Sequence, residues 1–147
     1  MKKDPSIQSP LSWTDPSFTL DPYSLIFLPG GHDKAVRQVI DSARVHELLA
    51  AYWPETEKPS KKGIAAICHG VMVLSETSGP DGKSILHEAE TTALPGKMES
   101  GVFWGTRLFL GDYYKTYGAG SDNVETSVRK KLKDHKKQFK VSLGTKP

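Results

Sequence analysis

The sequence predicts an α/β fold built from a strand, a helical segment and a second strand parallel to the first. Two apolar runs, at residues 23–28 and 63–67, have the length of buried strands and are too short for helices. The first run ends in Pro29-Gly30-Gly31, a turn signal, and the segment between the runs has apolar residues at helical spacing. This alternation of strand and helix is typical of a parallel sheet, whose crossover connection is almost always right-handed.

The elements before the second strand follow from local signals. Residues 1–20 are rich in Pro, Ser and Asp, so we predict an extended lead-in there and a domain over residues 21–147. Asp33 is a suitable N-cap for a helix whose apolar stripe is Val36, Val39 and Ile40. A second helix is predicted over residues 43–53, and Pro54 would end it.

The elements after the second strand carry weaker signals. Residues 84–86 and 91–94 are candidates for short strands, and residues 98–111 form an apolar and aromatic stretch. The C-terminal part has apolar residues at helical spacing, with Phe139 extending the same face: Val124, Val128 and Leu132. The basic residues among them (Arg129, Lys130, Lys131, Lys133, Lys136, Lys137, Lys140) are interpreted as the solvated side of a packed helix, in preference to a nucleic-acid surface.

Cys68 directly follows the second predicted strand and precedes an apolar helical face that begins after Gly70. Strand, abrupt turn and helix is the layout of a nucleophile elbow, in which the residues two before and two after the nucleophile must be small. These positions hold Ala66 and Gly70. A thiol there would lie at a helix N-terminus, where unpaired N–H groups and the helix dipole favour the thiolate. The alternative is a buried cysteine that packs as a small hydrophobic residue.

Composition excludes several classes of protein. The 147 residues, 37% hydrophobic and 25% charged, fit one soluble domain without an apolar run that could cross a bilayer. The N-terminus lacks the apolar stretch of a signal peptide, and one cysteine suits a reducing compartment, so we expect a cytoplasmic protein. The five histidines are scattered and no second thiol exists, which argues against a metal site. A net charge of +3 makes no general case for nucleic acid.

Two motifs, in this order and separation, resemble the ThiJ/PfpI family of the class I glutamine-amidotransferase-like superfamily. They are Leu-Pro-Gly-Gly-His-Asp at residues 28–33 and Ala-Ile-Cys-His-Gly at residues 66–70. Supporting segments are Thr-Thr-Ala-Leu-Pro at 91–95 and Gly-Asp-Tyr-Tyr-Lys-Thr-Tyr at 111–117, so the resemblance spans roughly residues 11–140. It implies a flavodoxin-like sandwich with a mostly parallel sheet and a reactive cysteine in the elbow.

The resemblance also implies roles for individual residues. Cys68 would be the nucleophile, His69 its catalytic partner, and Glu99 the carboxylate that orients His69. The backbone N–H groups of Gly31 and His69 would form an oxyanion hole, since glycine lets the main chain approach a developing negative charge closely. Substrate-binding positions would include Gly30 and His32. The pair His32-Asp33 is interpreted as a turn residue followed by an N-cap rather than as metal ligands.

The activity implied by the resemblance is a cofactor-independent, glyoxalase III-like conversion of methylglyoxal to lactate, or hydrolysis of a related small carbonyl or acyl substrate. Subunits of this family commonly pair, so a homodimer is expected. Relative to the family the chain lacks the first strand–helix unit, with its glutamate near the cysteine, and is short after Phe139. We therefore expect a partial domain, truncated at both ends, with an exposed sheet edge. The alternatives are a non-catalytic stress, chaperone-like or redox-sensing protein, or an inactive truncated copy.

Overall fold

A parallel two-stranded sheet organises the computed structural model, which describes residues 4–141. Strand β1 (Leu25–Leu28) pairs with β2 (Gly63–Ala66), with Leu25 opposite Gly63 and Leu28 opposite Ala66. Both strands lie inside the predicted apolar runs, and the segment between them is helical. The predicted α/β class with a parallel sheet is therefore confirmed.

The helices of the described residues are mostly short. They are α1 (Pro5–Gln8), α2 (Arg37–Ile40), α3 (Ala43–Tyr52), α4 (Gly70–Glu76), α5 (Gly96–Leu110), α6 (Val124–Arg129) and α7 (His135–Gln138). A 3₁₀ turn over Lys34–Val36 precedes α2, and another over Trp53–Thr56 follows α3. As predicted, Asp33 caps the first of these segments by accepting a hydrogen bond from the Ala35 N–H at 2.7 Å.

Helix α4 is the centre of the core. Its residues from Gly70 to Ser75 are all buried, and it contacts α2, α3, α6 and the end of β1. A helix that is apolar on every side belongs in an interior, because it has no polar face to turn toward water. The core that surrounds it includes Ile40, Leu49, Val124, Val128, Leu132 and Phe139. The predicted apolar face of the C-terminal part is therefore in the core, although α6 ends at Arg129.

The predicted short strands are the main difference from the sequence analysis. Residues 84–86 and 91–94 form no strand; each contributes only one bridge, Ser78 with Ser84 and Thr91 with Phe139. Isolated backbone hydrogen bonds serve these residues instead, such as those from the Ile85 N–H to the Thr77 carbonyl and from the Thr91 N–H to the Gln138 carbonyl. The lead-in also differs, because Asp4 caps a single helical turn in α1.

Two apolar surfaces stay exposed in the described residues. On β1, Leu25 and Phe27 point away from the core. On α5 most large apolar side chains face water, with Leu108 94% and Phe109 87% exposed, while Phe103 is buried. The apolar stretch predicted at residues 98–111 is thus a helix, and only a narrow face of it, which includes Phe103, packs against the rest of the protein.

Six of the seven basic residues named above in the C-terminal part form ion pairs with acidic neighbours. Their ion pairs join Arg129 to Glu125, Lys130 to Asp122, Lys131 to Glu76, Lys133 to Glu88, Lys137 to Asp134 and Lys140 to Glu90. The single packed helix predicted for these residues is divided, however, because α6 ends at Arg129 and α7 begins at His135. Between residues 4 and 141, no helix combines the length and the apolar character that a membrane crossing requires.

Candidate active site around Cys68

Cys68 lies in an abrupt turn between β2 and α4. Its backbone φ is +56°, the left-handed region that a residue with a side chain rarely adopts. The turn is closed by two hydrogen bonds, from the Ile67 N–H to the Leu28 carbonyl at 3.2 Å and from the Gly70 N–H to the Ile67 carbonyl at 2.9 Å. The backbone is therefore forced to reverse at the cysteine, and this residue is left partly exposed.

Two glycines make room for this turn. A Cβ on Gly30 would lie 2.6 Å from the Cys68 Cβ and 2.8 Å from the His69 nitrogen. A Cβ on Gly70 would collide with the carbonyl oxygen of Leu28 and lie 2.9 Å from its carbonyl carbon. Only glycine at both positions lets the turn after β1 pack against the turn after β2.

The turn also brings the side chains of Cys68 and His69 together. Adjacent side chains on a regular helix diverge, but here the Cys68 Sγ lies 3.3 Å from the His69 Nδ1. His69 is only 1% exposed. Burial, with a smaller contribution from His32, lowers the pKa of His69 to about 4. The ring is therefore neutral at pH 7 and has a lone pair available as a proton acceptor.

His32 approaches the same place from the turn after β1. Its ring centroid lies 4.8 Å from that of His69 and 5.0 Å from that of Tyr114, edge to face in both cases. One donor atom from each of His32, Cys68 and His69 can be chosen so that all three lie within 4.8 Å of one another. Tyr114 lies in the segment 111–117 that supports the family resemblance, and no sequence signal distinguishes it from its neighbours.

The two amides predicted to form an oxyanion hole lack backbone partners in the part of the chain that the structure describes. Neither the Gly31 N–H nor the His69 N–H donates to a carbonyl there. A Cβ on Gly30 would lie only 2.8 Å from the His69 nitrogen, so the turn after β1 passes close to this amide. The two turns that carry these amides are thus in direct contact.

Glu99 takes different partners from those expected. Its carboxylate is buried, accepts a hydrogen bond from the Val124 N–H at 2.8 Å, and lies 3.8 Å from the Lys115 ammonium. Within residues 4–141, none of its hydrogen bonds or ion pairs reaches His69. Glu99 comes from the first turn of α5, and from there it caps the N-terminus of α6. The structure gives it a role in packing these helices.

A cavity of about 350 Å³ opens beside the cysteine. Its walls are mostly apolar and combine the elbow with the loop before α5: Ala66, Ile67, Cys68, Val71, Thr92, Ala93 and Leu94. The loop residues belong to a motif that supports the family resemblance, but nothing in that motif places them beside the thiol. A larger cavity of about 500 Å³ lies elsewhere, between Asp41, Glu76 and Tyr117. It contains none of the residues predicted for the site.

Comparison with known proteins agrees with the motifs. The model of the family described as ThiJ/PfpI family-like matches residues 1–140. Over 91 residues the chain is 31% identical to an uncharacterized protein of Schizosaccharomyces pombe, a match that covers 62% of this chain and 32% of that protein. The matched segment thus spans about a third of the relative's own length. No solved structure matches the chain significantly. Because the family model covers nearly the whole chain, this protein belongs to the ThiJ/PfpI-like family.

Proposed function

We propose that the protein is a cysteine-dependent enzyme that converts a small reactive carbonyl compound, with methylglyoxal as the model substrate, into a hydroxy acid without a cofactor. The observation that carries this proposal is the contact of 3.3 Å between the Sγ of the partly exposed Cys68 and the Nδ1 of a buried, neutral His69. A thiol beside a neutral imidazole can pass its proton to the ring as it attacks.

The first step forms a bond between the Cys68 sulfur and the aldehyde carbon. His69 accepts the thiol proton, and the carbonyl electron pair moves onto the oxygen to give a hemithioacetal alkoxide. The N–H groups of Gly31 and His69, which have no backbone acceptor within residues 4–141, are the proposed donors that stabilise this alkoxide. The cavity beside Cys68, of about 350 Å³, has the size of a small-molecule site and largely apolar walls.

The second step moves a proton between the two carbons of the bound substrate. His69 first returns the thiol proton to the alkoxide oxygen and is neutral again. It then takes the proton from the former aldehyde carbon, which gives an enediolate, and delivers that proton to the neighbouring carbon, while the hydroxyl proton moves to the neighbouring oxygen. The product is a thioester of the 2-hydroxy acid. Water then breaks the carbon–sulfur bond, which releases lactate and restores the thiol. We assign these transfers to His69 without Glu99, whose described contacts go to Val124 and Lys115.

His32 is the proposed substrate-binding residue at the edge of the site. Its ring contacts both His69 and Tyr114, so it can donate a hydrogen bond to the second oxygen of a dicarbonyl while Tyr114 restricts its orientation. Gly30 contributes by its lack of a side chain, which keeps the amide of His69 accessible.

The test is lactate formation from methylglyoxal by the wild-type chain and by Cys68→Ala. We expect lactate from the wild type and background levels from the variant, with matching circular dichroism spectra to show that both are folded. A matched His69→Gln variant should lose most of the activity, because it removes the proton acceptor. Equal lactate from wild type and Cys68→Ala would refute the proposal.

A second candidate function is oxidation sensing by the same thiol. It is favoured by the exposure of Cys68 together with the absence of any other cysteine to form a disulfide within the chain, which directs oxidation toward a sulfenic acid. Folded wild type that forms no lactate but gives a sulfenic acid with dilute peroxide would support this function. The cytoplasmic location and the homodimer stay predictions.

A further inference from the structure

We propose that His32, Cys68 and His69 form a binding site for a thiophilic divalent cation such as Zn²⁺. The three side chains belong to the turns that follow two neighbouring parallel strands, and parallel strands end at the same edge of a sheet. The histidines were interpreted as scattered in the sequence. The fold brings two of them to the only cysteine.

The distances suit a tetrahedral ion. Zinc binds sulfur at about 2.3 Å and imidazole nitrogen at about 2.0–2.1 Å, so a sulfur and a nitrogen on the same ion lie about 3.6 Å apart. The Cys68 Sγ and the His69 Nδ1 are 3.3 Å apart. With the ligand atom of His32 included, no two of the three ligand atoms are more than 4.8 Å apart. A small rotation of the half-buried His32 ring therefore brings three ligands to bonding distance.

Two of the three ligands are already fixed in place. Burial holds the His69 ring, and the left-handed backbone of the elbow holds Cys68. The His32 ring is bounded by the rings of His69 and Tyr114. Such preorganisation lowers the entropy that a metal site must lose on binding.

The donor set selects the class of cation. Two imidazoles and one thiolate favour Zn²⁺ and related softer ions over Mg²⁺ and Ca²⁺, which prefer carboxylate and carbonyl oxygens. No carboxylate belongs to the cluster formed by the described residues. Three protein ligands leave a fourth position open, and Cys68 also lines the cavity.

Binding would replace the thiol proton by the cation, so that the proton goes to solvent and a sulfur–metal bond forms. If Cys68 is the nucleophile, a bound cation occupies its reactive lone pair and blocks the reaction; this consequence rests on the proposed function. The binding itself does not, because it requires only the three side chains.

The test titrates Co²⁺ and Zn²⁺ into the full chain without any carbonyl substrate. We expect one ion per chain and, with Co²⁺, the near-ultraviolet charge-transfer absorption of a thiolate–cobalt bond, displaced by Zn²⁺. The absorption should vanish in Cys68→Ser. Zn²⁺ affinity, measured against a chromophoric chelator, should fall by more than about tenfold in His32→Gln. His135→Gln, which changes a histidine outside the cluster, should bind like the wild type.

Zn²⁺ should also slow alkylation of Cys68 by iodoacetamide in the wild type, a readout that needs no variant to fold. Absence of the charge-transfer absorption, or Zn²⁺ affinity equal in wild type and His32→Gln with no protection from alkylation, would overturn the site. Failure of lactate formation would leave these results unaffected, so the two proposals are tested separately.

Discussion

Gly70→Ala tests the packing that shapes the elbow. The new methyl group would collide with the Leu28 carbonyl oxygen and lie 2.9 Å from the carbonyl carbon and 3.0 Å from the Pro29 oxygen. These atoms are backbone at the end of β1 and cannot rotate away, so α4 must move and carry its buried residues with it. Overpacking of this kind costs about 1–3 kcal/mol, and since several backbone atoms are involved we expect about 2–3 kcal/mol.

The matched control is Gly101→Ala, in the interior of α5. A Cβ there meets nothing within 4 Å, so only the helix preference acts and the free energy of unfolding should rise by about 0.5–1 kcal/mol. Urea unfolding followed by circular dichroism measures both variants. A Gly70→Ala protein as stable as the wild type would show that β1 and α4 do not approach as closely as described.

Further predictions concern the residues at and near the elbow. Because Cys68 has a φ of +56°, Cys68→Gly should be more stable to urea than Cys68→Ala by about 1 kcal/mol; equal stability would argue against the left-handed backbone. Glu99→Gln should lower the free energy of unfolding by about 1–3 kcal/mol, because it weakens the cap on Val124 and the pair with Lys115, while the rate of Cys68 alkylation should stay near that of the wild type. Burial holds the pKa of His69 at about 4, below its ordinary 6.5, so the unfolded chain binds more protons between these pH values and stability falls as the pH drops through them. The full pKa difference corresponds to a loss of about 3 kcal/mol in the free energy of unfolding. Because water in the neighbouring cavity reduces the effect of burial, we expect a loss of about 1–2 kcal/mol in the wild type. The loss over the same pH range should be smaller in His69→Gln.

The elbow could be predicted because its constraint is local. A short apolar run, a cysteine and small residues at Ala66 and Gly70 specify a strand, a tight turn and a helix whatever the rest of the chain does. The same holds for Asp33, whose capping role depends on a residue two positions away. The core positions Val124, Val128 and Leu132 could be predicted because they recur every four residues, the spacing typical of one apolar face of a helix.

The role of Glu99 could not be predicted in this way, because it depends on how α5 lies against α6. The family resemblance implied that Glu99 orients His69, and only the three-dimensional arrangement shows that its carboxylate accepts a hydrogen bond from the Val124 N–H. The predictions of short strands failed for a related reason: the pattern does not reveal that Ser84 and Thr91 each form only one isolated bridge, with Ser78 and Phe139. The approach of His32 to His69 likewise depends on pairing between β1 and β2.

The central claim is that the fold exposes and activates the sulfur of Cys68, the only cysteine of the chain. Its most direct test is the rate of alkylation by iodoacetamide at neutral pH, with a chelator present, in the native and the urea-unfolded chain. The account predicts that the native protein reacts faster, because the elbow presents the thiol beside the proton acceptor His69. A native protein that reacts more slowly than the unfolded chain would show that the sulfur is shielded by packing, and would contradict the account.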